Sequence, residues 1–407
     1  MNQIHDSHWN LAKHSLSQSH LLAYPPLDVS HQKKFPAVKK KLHLANISAP
    51  ERPLRLGFVP LTDCAPLVMA HELGLFQKYG LRVNLSRELG WATIRDKVIY
   101  GELDAAHAVA GMPVAATLGL GSIPCECLTA LVLNLHGNAI TVSESLWKNG
   151  VRDGVALREE IQRLRGEKTF TFGAVYPFSS HNFLLRKWLA SSGIDPDRDV
   201  RIVIVPPPQM VSNLKAGNLD GFCVGEPWNS VAVLQGVGYC MAISAELEPG
   251  HPEKVVMVRR EFAEHRSREH VALLAALLEA CEFCDAPENH GELVNVLVRP
   301  EYVGVPEAAL RPGIRGKIDL GHGGVRVIRD FNVFHQRNAN EPSGEKIAWV
   351  LQHMRDSGLC PNDSALNFAL GRRVFCADIF EKAARLRAST KTIPASKDKI
   401  RNETPVV

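Results

Sequence analysis

From residue 53 the chain alternates apolar and polar positions in short bursts, each followed by a run with helical spacing. "PLRLGFVPL" places Leu54, Leu56 and Phe58 on alternate positions, the period of a strand. Thr62 or Asp63 stands where a helix cap is expected, and "APLVMAHELGLFQKYG" follows as the helix, ended by Gly80. "LRVNL" reads as a second strand, "WATIRDKVIYGE" as a short helix and "LDAAHAVAG" as a third strand. The pattern restarts at Lys168, with strand "TFTFGAVY", helix "SSHNFLLRKWLASSG", strand "RIVIVPPP", short helix "QMVSNLKAG" and strand "LDGFCVGEP". The order βαβαβ therefore occurs twice, and a Gly-x-Leu-Asp phrase opens the third strand of each copy. The offset, 217 − 101 = 116, also lays Trp91 onto Pro207 and Thr62 onto Phe178.

Strand–helix–strand crossovers give parallel neighbours, so each copy is expected to be a parallel α/β unit and the pair a two-lobed α/β protein. In such units ligands bind beyond the carboxyl ends of the strands, where helix N-termini offer free N–H groups and favour an anion. The side chains at those junctions are Thr62, Asp63, Trp91, Thr93, Ser179, Ser180, His181 and Gln209. Taken singly, several are ordinary helix caps. Taken together they are a cluster of hydrogen-bond donors on matching edges, with no acid/base dyad and no activated nucleophile. The pattern predicts a binding cleft and not an enzyme.

The expected organisation is a first lobe from 51–137 and 236–387, a second from 138–235, a basic leader at 1–50 and a tail at 388–407 without packed structure. "SGEKIAWVLQHMRDSGL" and "ADIFEKAARLRA" are amphipathic and expected to pack on the first lobe or to form a partner surface. Residues 1–50 hold six lysines and two aspartates, 6 − 2 = +4, which is the whole net charge of the chain. The other 357 residues carry 47 − 6 = 41 basic and 43 − 2 = 41 acidic side chains, a balance that argues against direct nucleic-acid binding. The most apolar stretch, 106–135, is broken by Pro113, Pro124 and Glu126, so no membrane span is expected. The polar, His-rich start has no apolar core of a signal peptide, which predicts a cytoplasmic protein. Nine cysteines suit reduced thiols; Cys125/Cys127 and Cys281/Cys284 lack the second close pair that a zinc site needs, and are expected as core or helix-surface thiols.

Six motifs carry a resemblance over roughly 53–380: "LGFVPLTDCAPLVMAHELGLFQKYGL", "GWATIRDKV", "LNLHGNAITVS", "PFSSHNFLLRKWLA", "PPPQMVSNLKAGNLDGFCVGEPW" and "HPEKV". In this order they resemble the nitrate-binding family of type II solute-binding proteins, which also holds bicarbonate-binding relatives. The resemblance implies ligand contacts from Trp91 and Thr93, from Asn138 (a glutamine in the transport proteins), from His181 and Lys254, and from the segments around Pro208, Gln209 and Val224. Bicarbonate binders carry an acidic residue to hold a metal where this chain has Lys254. A lysine there implies nitrate or nitrite, with no metal and no cofactor. The missing export signal and Asn138 suit the family's cytoplasmic NasS-type sensor branch. That branch implies a partner, an ANTAR-type RNA-binding antiterminator (NasT-like), released when the anion closes the cleft. The transport-associated binding protein is the alternative. Thiamine-pyrimidine-synthase-like enzymes share the architecture, but their multi-cysteine run is absent.

Overall fold

The computed structural model describes residues 52–391. The expected leader lies outside them, as does the expected tail beyond 391, while the last helix, Ala377–Lys391, takes in the tail's first four positions. The first copy supplies β1 (Leu54–Phe58), β2 (Val83–Arg87) and β3 (Ala105–Val109), and β4 (Cys127–His136) and β5 (Asn138–Ser143) follow it. The second copy supplies β6 (Phe170–Ala174), β7 (Val200–Ile204) and β8 (Gly221–Gly225). After these come β9 (Gly238–Ile243), β10 (Pro252–Arg259), β11 (Lys317–Gly321), β12 (Gly324–Val327) and β13 (Asn332–Val333). One sheet runs β13-β4-β10-β3-β1-β2 and another β7-β6-β8-β5-β9, with β11–β12 a separate hairpin.

Both βαβαβ units are parallel as expected, β1 pairing with β2 and β3, and β6 with β7 and β8. Each sheet is then completed by antiparallel strands, β10, β4 and β13 in the first, β5 and β9 in the second. The chain leaves the first sheet at Gly137, whose φ of 97° suits only glycine, and returns between β9 and β10. Gly238–Ile243, expected with the first lobe, therefore belongs to the second sheet, because β9 hydrogen-bonds along β5.

The repeated phrase does the same work twice. Asp104 Oδ2 accepts from the Arg55 backbone N–H at 2.8 Å and its Oδ1 pairs with Arg52 at 2.6 Å. Asp220 Oδ2 accepts from the Thr171 N–H at 2.9 Å and its Oδ1 pairs with Lys168 at 2.5 Å. Each partner is displaced by the same interval, 171 − 55 = 116 and 168 − 52 = 116. The carboxylate thus pins the start of its unit's first strand to the third. At the middle strand the offset slips by one, since Leu54 faces Val83 and Phe170 faces Val200.

The largest apolar core lies around the first sheet, under the helices Ala65–Glu72 and Ser267–Asp285. Cys281 and Cys284 are buried on that second helix, in keeping with core thiols, whereas Cys125 and Cys127 lie 4.0 Å apart near the start of β4. The final helix packs on Ser267–Asp285, with Arg387 bonded to Glu282. The β11–β12 hairpin reaches the second sheet, where His322 stacks on Trp147 at 3.8 Å. Among the described residues no helix is long and apolar enough to cross a membrane.

Candidate functional site

β10 is central in its sheet and buried almost throughout, so its one ammonium has no route to water. Lys254 Nζ instead lies 2.8 Å from Asp63 Oδ2 and 2.5 Å from Glu253 Oε1. Asp63 stands in the single turn Thr62–Cys64 that follows β1, and its other oxygen is 2.9 Å from His107 Nε2 on β3. Trp91, first residue of the helix Trp91–Ile99, lays its ring 5.3 Å from the ammonium and 5.2 Å from the His107 ring. The second sheet completes the enclosure. Asn138, first residue of β5, donates from Nδ2 to Glu253 Oε2 at 2.6 Å. Ser180 donates its hydroxyl to the same oxygen, and His181 Nε2 lies 3.4 Å from Glu253 Oε1. His251, just before β10, brings its Nε2 within 3.4 Å of Glu253 Oε2. Gly225 closes another side: a Cβ there would meet Asn138 Oδ1 at 3.3 Å and Asp63 Oδ2 at 3.4 Å.

All of these polar side chains are buried, so their charge states follow from one another. Burial opposes the Lys254 charge, but the Asp63 and Glu253 carboxylates outweigh it and hold the ammonium above its ordinary pKa. Burial likewise opposes both carboxylates; Lys254 and His107 hold Asp63 below the usual range, and Lys254, His181 and His251 hold Glu253 well below it. Burial wins at the histidines, pushing His107 down and His181 to about 3. The resting chamber therefore carries two carboxylates, one ammonium and uncharged His107 and His181.

Several polar atoms here find no hydrogen-bond partner among the described residues: Trp91 Nε1, His107 Nδ1, Asn138 Oδ1, both nitrogens of His181 and His251 Nε2. Buried groups of this kind normally have partners, so a concentration of them marks where a small polar ligand gains the most. Lys254 contributes one more donor, since two of its three N–H groups go to Asp63 and Glu253.

Of the expected site residues the structure brings together Trp91, Asn138, His181 and Lys254. Val224 is buried on β8, one step from Gly225, its carbonyl taken by Asn229 Nδ2 at 2.8 Å. Thr93 does not join them: it is exposed, two residues along a helix that buries Trp91, Ile94, Val98 and Ile99 on its other face. Gln209 is also exposed, and Pro208 is half-buried in the turn Pro207–Gln209. Their neighbour Pro206 lies against Gly90 instead, where the two units meet (3.4 Å from a Cβ built on that glycine). Asn138 Nδ2 donates to Glu253 and, at 3.5 Å, to the Ser180 hydroxyl, so what it leaves unpartnered is an acceptor. The ammonium expected among neutral donors is in fact shared by two carboxylates.

Sequence reasoning placed Asp63 and Ser180 on the rim but missed Glu253, His107, His251 and Gly225. For His107 and Glu253 the signal was a polar residue inside an otherwise apolar buried strand, "AAHAV" and "PEKVVMVR".

Residues 48–298 match the model of the NMT1-like family. The chain is 34% identical over 369 residues to the nitrate/nitrite binding protein NrtA of Nostoc sp. (strain PCC 7120), covering 86% of this chain and 82% of that one. It belongs to the NMT1-like family, in its NrtA-like group. The crystal structure of the periplasmic nitrate-binding protein NrtA from Synechocystis PCC 6803 superposes with a TM-score of 0.79 at 30% identity, over 84% of this chain and 91% of that chain. The fold is accordingly that of the periplasmic binding proteins. The chain is also 45% identical over 336 residues to the nitrate import ATP-binding protein NrtC of Synechocystis sp. (strain PCC 6803), covering 82% of this chain but spanning only 50% of that protein's length.

Proposed function

We propose that this chain binds nitrate or nitrite in the chamber around Lys254 and serves as the substrate-binding part of an ABC-type nitrate import system. The observation that carries this reading is the meeting of Trp91, His181 and Lys254, each with a donor or an unpartnered nitrogen, at the join of the two sheets. A flat oxyanion accepts in-plane from the Trp91 N–H, from the remaining ammonium proton and from His181. Each charge-assisted bond is worth about 1.5–3 kcal/mol net. Because the donors come from both sheets, the anion favours the arrangement in which the two units are closed upon each other. The names of the relatives, nitrate/nitrite binding and nitrate import, support the substrate and the import role.

Calorimetric titration with nitrate, nitrite, bicarbonate and an alkanesulfonate tests the reading. Binding of nitrate or nitrite in preference to the other two supports it, and no heat with either overturns it. The narrower expectation, a cytoplasmic sensor that frees an ANTAR-type antiterminator, would use the same site and the same closure. The import reading has the relatives behind it and is the one argued here. Gel filtration with such an antiterminator, with and without nitrate, separates the two: an anion-sensitive complex would favour the sensor.

A further inference from the structure

The charge count at the site is unusual for an anion receptor. Two buried carboxylates, Asp63 and Glu253, face one ammonium, so these three groups together carry one negative charge before any ligand arrives. A monoanion placed among them would raise that to two, out of reach of water. Such a charge is rarely left uncompensated in a dry interior. Something in the chamber has to change protonation.

We propose, resting on the anion-binding reading of this same chamber, that nitrate binding draws one proton from solvent onto His181, so that the ligand enters as anion plus proton. His181 is placed for this by geometry. It lies on the first turn of the helix Ser180–Ser191, fully buried, with Nε2 3.4 Å from Glu253 Oε1 and neither ring nitrogen hydrogen-bonded to any of the described residues. A neutral imidazole has one donor to offer, whereas the imidazolium has two, one for Glu253 and one for the anion. The ionisable groups facing the ring are Glu253 and Lys254 from β10, Asp63 from the turn after β1 and His251 from the loop before β10. His107 on β3 already has Nε2 on Asp63, and the Cys223 thiol on β8 is held protonated, chiefly by burial. The proton forms a new N–H bond, the buffer supplies it, and no electron moves.

Without ligand, burial keeps His181 uncharged down to about pH 3, and Lys254 works in the same direction while Glu253 opposes it. The anion adds a second negative neighbour and moves the protonation upward. Between the free and bound values the observed affinity falls about tenfold for each unit rise in pH, because one proton is bound with each anion.

The test is calorimetry of the full chain with sodium nitrate in buffers of different protonation heat. The expected result is uptake of about one proton per nitrate near pH 5.5, with affinity about tenfold lower at pH 6 than at pH 5. Histidine nitrogen NMR on the unaltered protein should show one neutral imidazole becoming imidazolium when nitrate is added. His181→Asn should abolish the uptake and flatten the pH dependence, and His322→Asn, on the β11–β12 hairpin outside the chamber, should keep both. Nitrate binding with no proton uptake and no new imidazolium overturns the proposal and leaves the anion reading standing. Absence of nitrate binding at every pH overturns both. Uptake that survives His181→Asn overturns the assignment to His181, whether His107 or His251 then carries the proton.

Discussion

Lys254 Nζ and Asp63 Oδ2 lie 2.8 Å apart, joining the central strand of the first sheet to the turn that follows β1. Neither group is stable in this place alone. Removing the ammonium in Lys254→Met leaves Asp63 and Glu253 buried without their cation, a loss of about 3–5 kcal/mol. Urea unfolding should show that drop together with the loss of nitrate binding. Adding Asp63→Asn to Lys254→Met should recover part of the stability and none of the binding. If the single variant is as stable as the parent, the pair is not what holds the chamber.

Trp91 separates packing from donation. Its ring lies 5.3 Å from the ammonium and beside His107, while its Nε1 has no partner among the described residues. Trp91→Phe keeps most of the ring contact and drops the N–H. The expected outcome is about tenfold weaker nitrate binding with a melting temperature close to that of the parent. Unchanged affinity would show that the indole N–H does not reach the anion.

How far the sequence could be read depended on whether a residue's role was local. The two copies were legible because a strand-helix period and the Gly-x-Leu-Asp phrase recur at one offset, and Asp104 and Asp220 do make matching bonds. Trp91, Asn138, His181 and Lys254 were legible from their motifs, and the structure does gather them. The sharing of Lys254 between Asp63 and Glu253 was not, because it depends on β10 inserting between β3 and β4, a pairing far apart in sequence. Thr93 was misplaced for a helical reason: with about 100° between successive residues, a helix that turns Trp91 inward carries the second residue after it to the opposite face. The switch of β9 to the second sheet was equally hidden, since its apolar pattern suits either sheet.

Gly111 probes the closure of the two units. It sits just after β3, with an ordinary φ of −80°, so alanine is not strained there by backbone conformation. A Cβ would, however, stand 2.3 Å from the Phe178 carbonyl oxygen in the second copy, which must move away. Gly111→Ala should therefore weaken nitrate binding and enlarge the radius of gyration measured by small-angle scattering, with little change in helix content. An unchanged radius and affinity would mean that the close approach is not part of the bound arrangement.

Glu226 gives the pH dependence of stability a specific source. It is fully buried beside Pro227, with Oε2 accepting from the Ser230 N–H at 3.1 Å and Oε1 unpartnered. Burial raises its pKa from 4.5 to about 7. Between those values the folded chain holds a proton that the unfolded chain has released, so folding stability falls as pH rises through this window and levels off above it. The full effect is up to about 3 kcal/mol, the free-energy equivalent of the shift. Glu226→Gln keeps the shape and removes the ionisation. Its urea midpoint should lie above that of the parent near pH 8 and approach it near pH 5, a convergence that simple repacking would not produce. A gap of the same size at both pH values would assign the gain to packing and leave the Glu226 carboxylate without a part in the acid–base behaviour of the fold.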